Sequence, residues 1–216
     1  TARMPQISES TQDLVLFLQS VIFTVLKVHG LYAAQSFQRC RLRLGDVWWS
    51  NCVQVEDYVT KLCESLAPAI NRGRVQAVRL HVQADGGGQC YVLCFAKLPS
   101  SLDLAEMRAV LARLEMAFDE APALPSTAAP SAWRVTVETR PPEAGERRQE
   151  ALPVPRWRET SVSSSSASSG EVLPLGSVRG MDGSMAISLH REDAAVNSSD
   201  VVDVLMVSSQ DETPKR

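Results

Sequence analysis

The sequence predicts an α+β fold in which a mainly antiparallel sheet packs on three helices. Three segments of the 216-residue chain repeat apolar residues at helical spacing. Several further segments carry strand patterns, and turn residues separate them. A chain of this length, with 44% hydrophobic and 22% charged residues, is expected to form one domain with tails.

Residues 11–29 carry the first helical pattern. We expect Ser10 or Thr11 to cap this helix, because a short polar side chain there accepts hydrogen bonds from the first-turn amides, and Gly30 to end it. Its longest uninterrupted apolar run, residues 14–18, is far shorter than the ~20 residues of a membrane span. A helix this apolar is predicted to lie inside the domain. Its stripe consists of Leu14, Phe17, Leu18, Val21, Ile22, Val25 and Leu26.

The segment 32–48 predicts extended chain that turns back on itself at Gly45-Asp46. Trp48 and Trp49 are adjacent, so on a strand their side chains point to opposite faces. One of the two indoles is therefore expected at the surface, without an assigned role.

Two more helices are predicted, over residues 53–71 and 102–118. The first ends at Asn71-Arg72-Gly73, which carries helix-stop residues. Its apolar positions are Val55, Tyr58, Val59, Leu62, Leu66 and Ile70. Those of the second are Leu104, Met107, Val110, Leu111 and Leu114.

Strand patterns occupy the rest of the predicted domain. The segment 78–82 alternates apolar and polar residues, and residues 90–95 are apolar on both faces, as a central strand requires. Alternation returns at 133–137 and at 185–189. Between these last two, residues 140–170 hold four prolines and a serine run, so they predict an irregular connection.

Composition and motifs argue against an enzyme. The three histidines have no carboxylate or cysteine at a metal-ligand spacing, and the five cysteines include no CxxC pair, which is typical of reduced thiols. The glycines at 86–88 predict a hairpin turn rather than a phosphate cradle, since no helix follows directly. A net charge of -3 gives no global reason to bind nucleic acid or an anionic membrane. We therefore expect a binding module without cofactor or metal.

The order of elements resembles the HORMA domain over residues 8–192. The resemblance rests on a long buried helix followed by "LYAAQSFQR", a helix with "VEDYV", a glycine-turned hairpin, a third helix, and a strand that returns after a long excursion. It implies a C-terminal safety belt, about residues 140–190, that wraps around a partner peptide and closes by adding its last strand to the sheet. Residues 193–216 are predicted to be a disordered acidic tail.

Two branches of the family fit. "FLQSVIFTVLKVHGLYAAQSFQR" and "VEDYVTKLCESLAPAI" are more similar to the accessory subunits of translesion DNA polymerase zeta than to the spindle-checkpoint mitotic-arrest-deficient branch. The same holds for "EVLPLGSVRGMDGSMAISLH". Ala33 departs from both branches, which usually have a proline there. Ala186 and Ser188 are smaller than the residues usual in the polymerase branch, a difference that affects the side-chain contacts to a ligand rather than the fold.

The resemblance implies a set of peptide-binding residues. Trp157 either packs on the peptide or pins the belt to the domain, and Tyr58 either faces the peptide or is a partly buried residue of an amphipathic helix. The other candidates lie toward the end of the belt, where the alternative is a plain strand or loop: Val172, Leu173, Pro174, Leu175, Ala186 and Ser188.

Two other surfaces are candidates for protein contacts. Arg108 and Arg113 lie on the third helix, the surface through which HORMA proteins dimerise, although a solvated helix face is the simpler explanation. The tail holds an apolar island that resembles a SUMO-interacting motif, with an extra strand on this domain or a chance cluster as the alternatives. Its residues are Val201, Val202, Val204 and Leu205.

The function implied by the resemblance is a nuclear, non-enzymatic adaptor. It would hold a peptide of the polymerase zeta catalytic subunit and bridge it to a second translesion polymerase, with no sequence-specific nucleic acid contact and no membrane. A HORMA homodimer or heterodimer is a further partner. The second candidate is a checkpoint protein that binds kinetochore and anaphase-activator peptides, and the third is a hydrolase, which would need convergent titratable groups in a pocket.

Overall fold

The computed structural model describes residues 8–84, 87–96, 101–119, 132–140 and 172–194. The predicted α+β class is confirmed, since these residues form three helices and an antiparallel sheet. Trp157, the four candidate residues of the tail and most of the predicted belt lie outside them. The elements are α1 (Glu9–Val28), β1 (Phe37–Leu42), β2 (Gly45–Ser50), α2 (Val53–Asn71), β3 (Val75–Ala84), β4 (Gly87–Phe95), α3 (Leu104–Asp119), β5 (Ala132–Thr139), β6 (Val172–Arg179) and β7 (Met185–Ala194).

Five strands form one sheet in the order β5-β3-β4-β7-β6, with every neighbouring pair antiparallel. β4 is central and buried on both faces, as its sequence predicted: Tyr91 and Leu93 face the helices, and Val92 faces the other way. In β3, Leu80 lies between Tyr91 of β4 and Val135 of β5. The helices and the separate β1–β2 hairpin cover one face of this sheet, where the main core lies.

α1 is the core helix of the domain. Ser8 caps it, not the predicted Ser10 or Thr11: the Ser8 hydroxyl oxygen accepts a hydrogen bond from the Thr11 amide at 3.2 Å, while Ser10 and Thr11 are buried. Gly30 follows the helix with a φ of 60°, as expected of a helix-ending glycine. The helix is long and apolar enough to cross a membrane, but 72% of its most apolar window is buried in the domain.

The second and third helices follow the sequence pattern closely. α2 has the predicted bounds. α3 starts two residues later than predicted, because the Asp103 carboxylate accepts hydrogen bonds from the Ala105 and Glu106 amides, at 2.8 and 3.3 Å, and so caps the helix. Leu102 instead forms a bridge with Gly180 beside the β6–β7 turn.

The β1–β2 hairpin turns at Arg43-Leu44, not at the predicted Gly45-Asp46. Tertiary contacts explain the shift. Leu44 is 2% exposed in the core. The Arg43 guanidinium bonds Glu9 at 2.8 Å and Asp13 at 3.3 Å on α1, so both turn residues are fixed by the helix beneath them. Gly45 has a φ of 97° and begins β2, where its backbone conformation suits glycine.

The chain leaves the sheet at one edge and returns at the other. β5 is one outer strand and β6 is the opposite one, so residues 141–171 connect the two edges. Four strand spacings separate them, about 19 Å at ~4.8 Å each. A connection of this length is ample to cross the sheet, since an extended chain reaches ~3.3 Å per residue.

Candidate functional site

The two outer strands of the sheet differ in regularity. β6 contains Pro174 and two register shifts, and it packs against α3. β5 pairs with β3 without interruption from Ala132 to Glu138, and among the described residues no strand pairs with its other side. A regular strand with an open side presents unpaired N–H and C=O groups that an extended peptide can use. The open edge of β5, which faces away from β3, is therefore the candidate site.

The helix-facing side of this strand is apolar and incompletely covered. Val135 and Val137 are only half-buried, although their partners on β3, Leu80 and Val78, are each 1% exposed. Trp133, at the start of β5, is 7% exposed. Beside the open edge of β5, the helix-facing side of the sheet thus offers an apolar surface to the side chains of an added strand.

An aromatic cluster borders this apolar surface. Tyr58 of α2 lies edge-on to Trp133, with ring centroids 5.5 Å apart, and the Trp133 indole N–H donates to the Tyr32 hydroxyl at 3.0 Å. Tyr32 in turn contacts Phe37. Tyr58 is half-buried, and burial, with a smaller contribution from Tyr32, raises the pKa of its hydroxyl. It is therefore a neutral, half-buried ring beside the open strand, a position compatible with both of its sequence interpretations, and its contact with a peptide stays a prediction.

The face of β5 that points away from the helices carries charge. Glu138 accepts a hydrogen bond from Arg79 at 2.6 Å, and the Thr136 hydroxyl contacts His81 at 2.9 Å, so β3 engages both residues. Arg134 lies directly across from His81. Burial first, and then the neighbouring Arg134 and Arg79, lower the pKa of His81 to about 4, which leaves this imidazole neutral at pH 7.

The other predicted peptide contacts lie on strands far from β5. Val172 and Leu173 are exposed on β6, together with Pro174, whereas Leu175 is buried in the core. Ala186 is fully buried, so its side chain is not available to a peptide in this arrangement, and Ser188 lies across from Cys94. β3 and β4 separate these residues from β5. The structure thus brings Tyr58 to the open edge but not the residues of β6 and β7.

Comparisons with known proteins bear on the fold. No protein-family model matches the sequence, and no curated protein matches it. Solved structures do: a chain of a mitotic checkpoint complex has a TM-score of 0.66 at 15% identity, covering 86% of this chain and 99% of that one. C. elegans HTP-2 bound to a HIM-3 closure motif has a TM-score of 0.63 at 11% identity, covering 86% of this chain and 92% of its own.

C. elegans HTP-1 bound to the same motif has a TM-score of 0.64 at 11% identity, over 87% of this chain and 94% of its own. These neighbours are HORMA-domain structures. The chain has the HORMA fold. At identities of 11 to 15% the likeness establishes the fold alone, and it agrees with the resemblance of the sequence.

Arg108 and Arg113, the two candidate residues for dimerisation, lie on different sides of α3. Arg108 donates a hydrogen bond to the Arg43 carbonyl oxygen at 2.9 Å, which ties the β1–β2 turn to α3. Arg113 lies beside Gly176 of β6, at the junction of α3 with the sheet. Both side chains are exposed, and a role in dimerisation stays a prediction.

The two adjacent tryptophans have structural contacts. Trp49 packs on Phe23 of α1, at 4.8 Å between ring centroids, and its N–H donates to Glu56. Trp48 faces the other way, and the cationic groups of Lys27 and Arg39 lie 3.8 and 4.1 Å from its ring centroid. The two indoles point to opposite faces, as predicted. The expectation that one of them lies at the surface is wrong, since both are half-buried, and the cation–π contacts of Lys27 and Arg39 cover the ring of Trp48.

The described part of this HORMA fold contains no group of three or more side chains that could hold a metal ion. Burial raises the pKa of Cys90 to about 12 and that of Cys63 above its ordinary value, so neither thiol is ionised at neutral pH. A groove of about 200 Å³ between the hairpin and α3 is lined by an Arg39–Glu115 ion pair, which occupies both charged groups.

Sequence reasoning missed the residues that make β5 a candidate site. The alternation over 133–137 predicts a strand with Trp133, Val135 and Val137 on one face and Arg134 on the other, but it does not predict an open edge. Tyr32 was assigned to extended chain, and its hydrogen bond to Trp133 spans 101 positions. Alternation indicates that a segment is a strand but not where in the sheet it lies, so the pattern does not predict that β5 is at the edge.

Proposed function

We propose that the chain is a non-enzymatic adaptor that captures an extended peptide of a partner protein as an added strand on β5. The observation that carries the proposal is the open edge of β5, which is regular from Ala132 to Glu138, with half-buried Val135 and Val137 beside it. Backbone hydrogen bonds would supply affinity, and side chains on alternate positions would supply selectivity.

The connection between the sheet edges supports capture under a belt. Residues 141–171 start beside the proposed peptide and end at β6, which pairs with β7 on the far side of the sheet. A peptide on β5 would therefore lie under the start of this connection. The neighbouring structures of HTP-2 and HTP-1 are bound to closure motifs, which agrees with peptide capture by this fold. Trp157, in the middle of the segment, is the proposed aromatic contact of the belt.

Hydrogen exchange tests where the peptide binds. A peptide that adds a strand to β5 should slow exchange of those β5 amides that do not pair with β3, with little change in β6. The probe is a synthetic proline-containing peptide of a polymerase zeta catalytic subunit, compared with a scrambled peptide of equal composition. Protection confined to β6, or to the groove beside α3, would contradict the proposed site.

For the partner, we propose the polymerase zeta catalytic subunit, with a second translesion polymerase as the bridged protein and the nucleus as the location. The support is the similarity of "FLQSVIFTVLKVHGLYAAQSFQR" to that branch of the family. The alternative, a spindle-checkpoint adaptor, is supported by the likeness to a chain of a mitotic checkpoint complex.

Affinity capture from nuclear extract separates these partners. The bait is the full chain, and Tyr58→Ala serves as the matched control, because its ring is part of the proposed peptide surface. Recovery of a B-family polymerase on the full chain but not on Tyr58→Ala supports the first partner. Recovery of kinetochore proteins with the same dependence supports the alternative.

A further inference from the structure

The face of β5 that points away from the helices contains one cation, Arg134, whose charge the neighbouring strand does not neutralise. Of its three polar residues on that face, Thr136 contacts His81 and Glu138 binds Arg79. Arg134 has no hydrogen-bond or ion-pair partner among the described residues, and its side chain is half-exposed. The open strand thus presents a free guanidinium near its start and a neutralised pair near its end.

The neighbours of Arg134 do not offset its charge. His81, directly across on β3, is neutral at pH 7, and Arg79 has its charge matched by Glu138. An added strand places one of its side chains next to Arg134 on the same face, about 5 Å away between Cβ atoms. At that distance an opposite charge stabilises the pair of strands, and a like charge destabilises it.

We propose that Arg134 is a specificity-determining residue that selects a peptide with Asp or Glu at the position beside it. The inference rests on the proposed capture of a peptide on β5. Because side chains alternate along a strand, the residues on either side of this acid face Val135 and its apolar surroundings. The ligand therefore has an acidic residue between two apolar residues, whatever protein supplies it.

A displayed library of random 12-residue peptides tests this assignment. It is selected in parallel on the full chain, on Arg134→Glu and on Arg41→Glu. Arg41 provides the matched control, since it is exposed on β1, outside the five-stranded sheet, and makes no ion pair among the described residues. The full chain and Arg41→Glu should enrich acid between apolar residues, and Arg134→Glu should enrich Lys or Arg at the same position.

A synthetic peptide from the selection shows how strongly the acid contributes to the binding affinity. Replacing its acid with Lys should weaken binding to the full chain by roughly fivefold and strengthen binding to Arg134→Glu by a similar factor. Arg134→Gln should show neither preference. The melting temperature should stay nearly constant in all three variants, because neither Arg134 nor Arg41 makes an ion pair within the described ranges.

The outcomes separate this inference from the proposed function. If the full chain enriches peptides that bind at β5 without any charge preference, or if Arg134→Glu enriches the same acids, Arg134 is not a specificity determinant and only the inference fails. If none of the three proteins enriches a peptide that protects β5 from hydrogen exchange, peptide capture at β5 itself is wrong.

Discussion

Single side chains at the open strand have separable roles in folding and in binding. Trp133 is nearly buried and hydrogen-bonded to Tyr32, so it belongs to the core. Tyr58 rests on its edge and is half-buried. One face of the Tyr58 ring can therefore pack against the fold and the other against a ligand, so its contributions to stability and to binding are measurable separately.

Tyr58→Ala should weaken peptide binding more than it lowers stability. Losing an aromatic interface anchor costs about 2 kcal/mol, or roughly thirtyfold in Kd. Calorimetric titration gives the affinity, and thermal unfolding gives the stability. Trp133→Ala is the contrasting variant, since it removes a core residue and should lower the melting temperature strongly. A large loss of stability in Tyr58→Ala with unchanged affinity would assign Tyr58 to the core alone.

Trp157→Ala should behave like Tyr58→Ala if its indole packs on the peptide. The same two measurements decide between the sequence interpretations of this residue. A lower melting temperature at constant affinity would show that Trp157 pins the belt to the domain.

A half-buried histidine should make stability depend on pH. His29 contacts the Tyr91 hydroxyl at 2.8 Å, and Tyr91 donates to Gln89. Burial, and then Arg191, lower the pKa of His29 to about 4, against 6.5 for the exposed group. As the pH falls from 6.5 toward 4, the unfolded chain takes up a proton that the folded chain does not, so stability is lost in that window.

His29→Gln should reduce this loss, because it keeps an N–H donor for Tyr91 but cannot be protonated. Urea unfolding at pH 7.5 and at pH 5 gives the change in unfolding free energy for each protein. His81→Gln should act in the same direction, since the pKa of His81 is also lowered to about 4. Equal losses in the parent and His29→Gln would remove His29 as the cause.

At the scale of elements, the contact of β6 with α3 depends on a glycine. Gly176 has a φ of 151°, and a Cβ there would lie 2.9 Å from a methyl carbon of Val110 and 3.1 Å from the Arg113 guanidinium. Gly176→Ala should therefore push β6 away from α3 and destabilise the domain by about 1–3 kcal/mol.

Gly183→Ala is the matched control, in the β6–β7 turn. It also has a positive φ, 79°, but no atom within 4 Å of the added Cβ, so only backbone strain contributes. Chemical unfolding of both variants gives the comparison. If Gly183→Ala costs as much as Gly176→Ala, strain rather than the close approach of α3 explains the glycine.

At the scale of the whole molecule, the C-terminal strands complete the core. β7 pairs along β4 from Gly88 to Phe95, and the β6–β7 hairpin contributes buried apolar residues. Ending the chain after Thr139 should therefore abolish peptide binding and also expose β4 as a new edge, which favours association. Light scattering after size-exclusion chromatography measures the second effect. A monomeric truncated chain with full affinity would contradict the belt.

A shortened connection tests the belt without removing these strands. Deleting residues 145–168 leaves enough chain to span the ~19 Å between the edges but too little to pass around a bound peptide. We expect a nearly unchanged melting temperature and a lost affinity. A Gly/Ser segment of the original length, in place of the same residues, separates the need for length from the need for Trp157.

The sequence by itself determined the three helices, four of the five strands of the main sheet and which strand is central, whereas it left the start of β6 open between strand and loop. Helical and alternating periodicity report on burial locally, so α2 has the predicted bounds and β4 the predicted double-sided burial. The order of elements also led to the HORMA fold, which the solved structures confirm. Caps and turns were placed less well, because they depend on distant partners: the Thr11 hydroxyl donates to Asn71 of α2, which leaves Ser8 to cap α1, and Arg43 pairs with Asp13 of α1.

Only the tertiary structure decided which strand lies at the open edge and which side chains meet there. An edge strand and an inner strand of one sheet share the same alternation, so the sequence did not place β5 apart from β3. The hydrogen bond of Tyr32 with Trp133, and the lack of an ion-pair partner for Arg134 in the described part of the chain, depend on the place of β5 in the order β5-β3-β4-β7-β6. That order is fixed by long-range packing of the whole core, which no local pattern encodes.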